Sequence, residues 1–256
     1  MTYTLVGTGN MAYFLGKRLH ATGALCVGVY GRNTEHAKTL ADMLDSPTLT
    51  SLQHLPTDAN CCILAVSDGA IKEISTALSL TETVMIHTSG ATSLEVIAQP
   101  HKACLWPIYS IHKQNGVEHR EIPIICDSNT GKAQAAVLKL ARSISDNVQE
   151  AVYERRLQLH LVAAMGNNFT NHLLAICQRY CEEKQLSFDL FKPILQQTFE
   201  RLNTISPFLS QTGAARRNDS QTMQMHLSLL QEHPLWAQLY RDFSNSIKDM
   251  YSTIGE

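Results

Sequence analysis

The residues best suited to chemistry stand at the start of the chain. Gly7-Thr8-Gly9-Asn10-Met11-Ala12 has the form G-x-G-x-x-A. A glycine at the first position permits a tight turn, and a glycine at the second lets a diphosphate reach the backbone. The small residue at the last position lets a helix pack closely on a strand. The run follows an apolar stretch, Tyr3–Val6, and opens an amphipathic one from Met11 to His20, so strand–turn–helix is the predicted setting. Amide groups at such a helix start face an anion, helped by the helix dipole. Gly7, Thr8, Gly9, Asn10 and Met11 are therefore candidate binders of a dinucleotide.

The end of the second apolar run, Leu25–Tyr30, selects among nucleotides. A carboxylate there would accept hydrogen bonds from ribose hydroxyls. The chain instead reads Gly31-Arg32-Asn33-Thr34, with no carboxylate before Glu35. The planar fork of Arg32 suits a 2′-phosphate and Asn33 adds a donor, which favours NADP(H) over NAD(H). Two further strand ends, Ala65-Val66-Ser67-Asp68 and His87-Thr88-Ser89-Gly90, should line the same crevice, because ligands of open parallel sheets bind outside the carboxyl ends of the strands. Ala65, Val66, Ser67 and Thr88 join the cofactor candidates, and Ser89 the substrate candidates. Asp68 reads as the cap of the next helix rather than as a catalytic acid.

Other polar groups sit in the second half. His160, Asn167 and Asn171 lie on one long helical pattern and fall within roughly 40° of one another at about 100° per residue. Such a stripe either faces solvent or meets a ligand. His160 is the candidate proton donor, since imidazole titrates near neutral pH without perturbation. Ser110 and Asn167 are its candidate catalytic partners. In Trp106-Pro107-Ile108-Tyr109-Ser110, Pro107 could carry a cis bond and Tyr109 a donor to substrate. Arg217 offers an anion clamp, while Asp219 either shares it or caps a helix from Ser220. Pro107, Tyr109, Asn171, Arg217 and Asp219 complete the substrate candidates. No metal site is expected: Cys177 and Cys181 share a helix face, but no His or acidic pair completes a zinc set.

These groups need a scaffold, and the first half supplies one in outline. Apolar runs at Cys61–Val66, Val84–His87, Lys102–Trp106 and Ile122–Cys126 continue the series, with helical patterns at Thr34–Leu44 and Ile71–Leu80. Strands alternating with helices predict a parallel, doubly wound α/β sheet. After Gly131 the pattern is almost wholly helical: Lys132–Ser145, Tyr153–Lys184, Leu190–Ile205, Thr222–Glu232 and Leu235–Tyr251. A nucleotide-binding domain over 1–150 and an all-α domain over 151–256 is the expected division.

Composition narrows the classes further. The 256 residues are 44% hydrophobic and 17% charged, with a net charge of −2, which excludes disorder and argues against a nucleic-acid partner. No stretch approaches the ~18 apolar residues of a spanning helix, and no basic region precedes a signal-type core. Seven cysteines without a Cys-x-x-Cys pair suggest reduced thiols and a cytoplasmic setting.

The chain resembles the Rossmann-like NADP-oxidoreductase family related to pyrroline-5-carboxylate reductase and deazaflavin-dependent NADP reductase, with a C-terminal helical domain of unknown function. The resemblance spans nearly the whole chain, carried by Gly7–Ala12, Gly31–Asn33, His87–Ala91, Trp106–Ser110, Asn167–Leu173 and Thr212–Asp219 with His226. It implies an N-terminal doubly wound Rossmann domain and a C-terminal all-α domain like that of 6-phosphogluconate dehydrogenase. It also implies NADP(H) held at Gly7, Gly9, Ala12 and Arg32, and a homodimer through the helical domains. Two departures stand out. The family loop usually opens His-Pro, where this chain has Trp106-Pro107. Its later motif usually reads Thr-Gly-Pro and then Arg-Gly-Asp, where Ala214 and Asn218 replace the Pro and the second Gly, with Arg217 and Asp219 retained. The activity implied is NADPH-dependent reduction of a small, carboxylated carbonyl or imine. One competing reading is a non-catalytic NADP(H)-binding regulator or assembly protein. A dehydrogenase of the prephenate or hydroxyacid type is the third, and its hydroxyacid version lacks a clear catalytic Lys on the first long helix.

Overall fold

The computed structural model describes residues 1–111 and 121–252. The chain divides into two compact units, Met1–Asn167 and Asn168–Glu256.

The first unit runs β1 (Thr2–Val6), α1 (Asn10–Ala21), β2 (Leu25–Tyr30), α2 (Thr34–Met43), β3 (Thr48–Leu49), β4 (Cys61–Leu64), α3 (Asp68–Thr76) and β5 (Val84–His87). It continues with β6 (Lys102–Pro107), β7 (Ile124–Ser128), α4 (Gly131–Ile144), β8 (Val148–Glu150) and α5 (Tyr153–Ala163). The strands form one sheet in the order β3-β2-β1-β4-β5-β6-β7-β8. The β6–β7 pair is antiparallel and the other pairs are parallel. The chain winds outward from β1 to β3 and then returns to the other side of β1 at β4. This is the doubly wound arrangement, with its switch point between β1 and β4.

The residues of β4 show why the sheet is covered on both faces. Cys61, Cys62, Ile63 and Leu64 are all fully buried. Cys61 and Ile63 pack into one core with Leu15, Leu19, Leu40 and Leu140, whereas Cys62 and Leu64 pack into the other with Ile71 and Leu78. Alternate side chains of one strand thus serve opposite layers of helices.

Three features depart from the pattern read in the sequence. β3 and β8 are two and three residues long, too short to register as apolar runs. β7 turns back against β6, and no helix is present among the described residues between them to make a parallel crossover. The long helix over 153–184 is broken by a π turn at Ala164–Phe169, after which α6 (Thr170–Glu183) resumes. A π turn bonds i to i+5, so the count of 100° per residue from His160 to Asn171 does not carry through it.

The second unit is helical throughout its described residues: α6, α7 (Lys192–Glu200), α8 (Pro207–Ser210), α9 (Ser220–Leu229) and α10 (Pro234–Ser252). The predicted helix Leu190–Ile205 is α7 flanked by 3-10 turns at Phe188–Phe191 and Arg201–Asn203. Tyr251 fastens the end of α10, donating to the Phe208 carbonyl at 2.8 Å and stacking on its ring at 4.7 Å. Described peptide bonds are all trans, including the one before Pro107. No helix among the described residues is long and apolar enough to cross a membrane.

Gly7 is the tightest point of the sheet unit. Its amide donates to the Tyr30 carbonyl of β2 at 2.8 Å, and its φ of 120° lies in the region that favours glycine. A Cβ there would stand 2.1 Å from the Ala65 carbonyl oxygen. At Gly9, which is extended at φ −81°, a Cβ would meet nothing within 4 Å. Gly7→Ala should therefore lower stability in urea denaturation by about 3 kcal/mol or more. Gly9→Ala should change it by less than about 1 kcal/mol. Equal losses would show that the turn tolerates a side chain at Gly7.

Candidate functional site

A cavity of about 600 Å³ opens at the carboxyl ends of β1, β2 and β4. Gly7, Thr8, Gly9, Asn10, Met11, Arg32, Asn33, Ala65, Val66 and Ser67 line it together, so most of the expected cofactor residues converge there. Thr88 does not line it; that residue is buried just after β5. Tyr30, Leu52 and Ile74 line the cavity as well and supply apolar wall. They escaped the sequence reading because an apolar residue at a strand end, in a short turn or on a helix looks like ordinary core.

The cavity suits an anion. α1 starts at Asn10 with Gly9 as its cap, no side chain occupies the cap position, and its first turn contains no acidic residue. The amides of that turn have no intrahelical acceptors and no carboxylate within their own turn, and Glu73 is the carboxylate in the cavity lining. Space at Gly9 is open where a Cβ would project, as close approach of a phosphate requires. Gly31 is needed for a different reason, since a Cβ there would stand 2.5 Å from Thr8 Cγ2. Arg32 is exposed, and Asn33 Oδ1 accepts from the His36 amide at 2.9 Å, which leaves the amide N–H donors of Asn33 outside the cap. α3 is capped by Ser67, one position earlier than the Asp68 cap expected from the sequence, and Asp68 is its first residue.

A second cluster forms at the end of β5. His87 is fully buried, and its Nδ1 accepts from the Ser89 amide at 3.2 Å. Ser89 Oγ in turn accepts from the amides of Ala91 and Thr92, at 3.2 and 3.1 Å, so this candidate substrate ligand shapes its own turn. Arg156 on α5, fully buried, reaches into the same turn and donates to the carbonyls of Ser89, Gly90 and Thr92 at 2.9, 3.2 and 2.8 Å. It also pairs with Asp127 at 3.3 Å. Arg156 was missed in the sequence. The available signal was its phase, because Arg156, Leu159, His160 and Ala163 fall on one helical face, and Leu159 and Ala163 pack inward.

His160, half-buried, lies beside this turn with its ring 5.6 Å from that of the buried Trp106. Pro107 is buried, whereas Tyr109 and Ser110 are exposed. Asn167 is exposed in the π turn. The remaining candidates belong to the second unit. Asn171 is exposed on α6. Asp219 caps α9, accepting from the Thr222 amide at 3.0 Å and its hydroxyl at 2.7 Å, and these bonds hold its carboxyl below the usual range. Arg217 contributes to that lowering through its charge.

Comparison with known proteins places this geometry. Residues 122–247 match the family model described as a domain of unknown function, DUF2520. A protein from Bacteroides fragilis assigned as an NADP oxidoreductase superposes with a TM-score of 0.88 at 30% identity, covering 97% of this chain and 98% of its own. A reductive aminase from Aspergillus terreus, solved with NADPH and ethyl levulinate, superposes at 0.71 with 13% identity, over 99% and 98% of the two chains. A 1-pyrroline-5-carboxylate reductase from Streptococcus pyogenes does so at 0.63 with 14% identity, over 97% and 98%. The last two show the shared fold alone. No curated protein matches the chain.

Burial and the neighbouring Arg156 charge push the His87 imidazole down from 6.5 to about 3. On acidification the unfolded chain takes up this proton near pH 6.5 while the folded chain does not. Stability is therefore lost as the pH falls from about 6.5 towards 3. Between pH 7.5 and pH 5 the loss from His87 should reach about 2 kcal/mol. His87→Asn keeps an acceptor for the Ser89 amide and should shrink the difference by that amount in urea titrations at the two pH values. Identical pH dependence in both proteins would mean that His87 ionises as freely folded as unfolded.

Proposed function

We infer the function from one premise: the chain belongs to the Rossmann-like NADP-oxidoreductase family that carries the DUF2520 domain. It is an NADP(H)-dependent oxidoreductase, and we propose that it reduces a small carbonyl or imine that bears a carboxylate. The observation that carries this reading is the cavity at the β1–β4 switch point, with an uncapped helix start at one wall and Arg32 at another.

The nicotinamide cofactor supplies a hydride when bound. The chain's own residues do the rest. Gly7 to Met11 hold the diphosphate through backbone amides, with Gly9 leaving the approach clear. Arg32 and Asn33 bind the 2′-phosphate through charge-assisted hydrogen bonds. Ala65, Val66 and Ser67 would face the ribose beside the nicotinamide, whereas Thr88, buried just after β5, lies outside the cavity lining. His160 delivers the proton that balances the hydride, and Ser110 and Asn167 orient the reacting group. Ser89, Pro107 and Tyr109 complete the substrate contacts in this unit. Arg217 is the group of suitable charge for the substrate carboxylate, and Asn171 and Asp219 remain candidates from the second unit.

Two finer points belong to the same reading. The protein works as a homodimer through its helical unit, where Leu190, Leu209 and Leu235 are each more than 70% exposed and an apolar hollow of about 390 Å³ opens among α6, α7, α9 and α10. Such a surface is unusual on a monomer. Sedimentation equilibrium should give twice the chain mass, and a single-chain mass would remove this point. A cytoplasmic location accords with seven unpaired cysteines.

The reaction itself is tested by NADPH oxidation across a panel of carbonyls and imines, each with and without a carboxylate. His160→Ala should lower turnover by about a hundred-fold, within the range of lost general-acid catalysis. Arg32→Asp should weaken NADPH binding by about ten-fold or more and leave NADH nearly unaffected. Unchanged turnover in His160→Ala would remove His160 from the chemistry. Tight NADPH binding with no turnover on any member would favour the non-catalytic reading, for which the buried Trp106 in place of a titratable residue already speaks.

A further inference from the structure

We propose that Arg156 is a positioning residue, one that joins the turn after β5 to α5 as a single piece and so sets the His160 imidazole against Trp106. The proposal rests on the reading of His160 as proton donor, and it concerns how that group is held.

A guanidinium with no solvent exposure is tolerated only where its donors find acceptors. Nη1 and Nη2 of Arg156 reach four between them, while its buried Nε has no hydrogen-bond partner among the described residues. Three are the backbone carbonyls of Ser89, Gly90 and Thr92, and the fourth is Asp127 on β7. Most of the bonding therefore goes to one short turn rather than to a partner side chain. The Cys104 thiol adds a bond to the Ser89 carbonyl at 3.4 Å, and His87 accepts the Ser89 amide, so the turn is gripped from three sides.

His160 lies one helical turn beyond Arg156, on the same face of α5. What separates its ring from Trp106 is Gly90. A Cβ at Gly90 would stand 2.5 Å from Trp106 Cε2 and 2.6 Å from His160 Cδ2. The gap that receives the imidazole is thus one glycine wide, and Arg156 binds the carbonyl of that same glycine. Lysine would not substitute, because the three carbonyls share Nη1 while Asp127 is met by Nη2, and an ammonium on a flexible stem has no second nitrogen fixed in plane with the first.

The chain has two tryptophans, Trp106 and Trp236, so Trp236→Phe leaves Trp106 as the only indole reporter. In that background, the change in Trp106 fluorescence on adding His160→Ala measures the ring contact. Arg156→Lys and Gly90→Ala are then introduced separately. Gly90→Ala wedges the same gap without stranding a buried charge, so it carries the test if Arg156→Lys does not fold. In each folded variant at least half of the His160-dependent fluorescence change should disappear. The kcat on the best panel substrate should fall about ten-fold or more, with the KM for NADPH held within about two-fold. A retained fluorescence change with unchanged kcat overturns the proposal, as does a KM for NADPH that rises in step with the fall in kcat. If the parent protein turns over no substrate yet the fluorescence change is lost as expected, the positioning stands and the enzymatic reading falls.

Discussion

The approach of Gly7 to the Ala65 carbonyl governs the sheet unit. No side chain fits between them, so the first loop lies directly over the end of β4, and α1 begins at the switch point instead of one turn away from it. Gly31 continues the same constraint on the other side, pressing on Thr8. The ends of β1, β2 and β4 are thereby interlocked through backbone. A binding surface built this way is rigid before any ligand arrives, because its geometry depends on what is absent from the glycines rather than on rotamers of long side chains. That property suits a diphosphate, whose oxygens bond to amides at fixed positions.

The end of β5 is organised by the opposite means. There a charge is buried and surrounded. Removing a cation from water costs several kcal/mol even after relaxation, while each hydrogen bond to a charged group contributes about 1.5–3 kcal/mol. Four acceptors around Arg156 are of the size needed to offset that penalty, whereas one carboxylate at 3.3 Å would fall short. Burial, aided by the same cation, keeps His87 neutral, and the neutral ring can accept the Ser89 amide. The turn therefore depends on Arg156 directly and also through His87.

These two means differ in how readable they are in a sequence. The glycine loop was legible because its residues are adjacent and its strand–turn–helix setting is local. Arg32 followed from the end of the next strand. The buried apolar run of β4 and the helices of the second unit were legible from pattern alone, whereas β8 was not. The β5 cluster was not, because Arg156 meets Ser89 across 67 residues of chain and nothing near Arg156 announces a partner. Asp219 shows an ambiguity that spacing cannot resolve: a carboxylate before a helix can cap it or bind a ligand, and in the structure both of its oxygens engage Thr222. The Asn167–Asn171 stripe depended on an unbroken α-helical count, and six residues of π turn interrupt it. Such a turn leaves the apolar pattern nearly intact while shifting the phase, so periodicity gives no warning.

The contrast between the two ends also weighs on what the protein does. The residues proposed to bind a dinucleotide, in the Gly7 loop, at the start of α1 and at Arg32, line the cavity at β1, β2 and β4. The fully buried guanidinium arranged around the β5 turn lies apart from these. Such a residue is difficult to maintain, since any substitution leaves either unpaired carbonyls or a stranded carboxylate. Its effect in the structure is local: it fixes Ser89 to Thr92 and, through Gly90, the space beside Trp106 where an imidazole rests. For the proton donor proposed above, such control of position would set the rate. Trp106 supplies no titratable proton of its own, and the His160 imidazole is the titratable ring beside it.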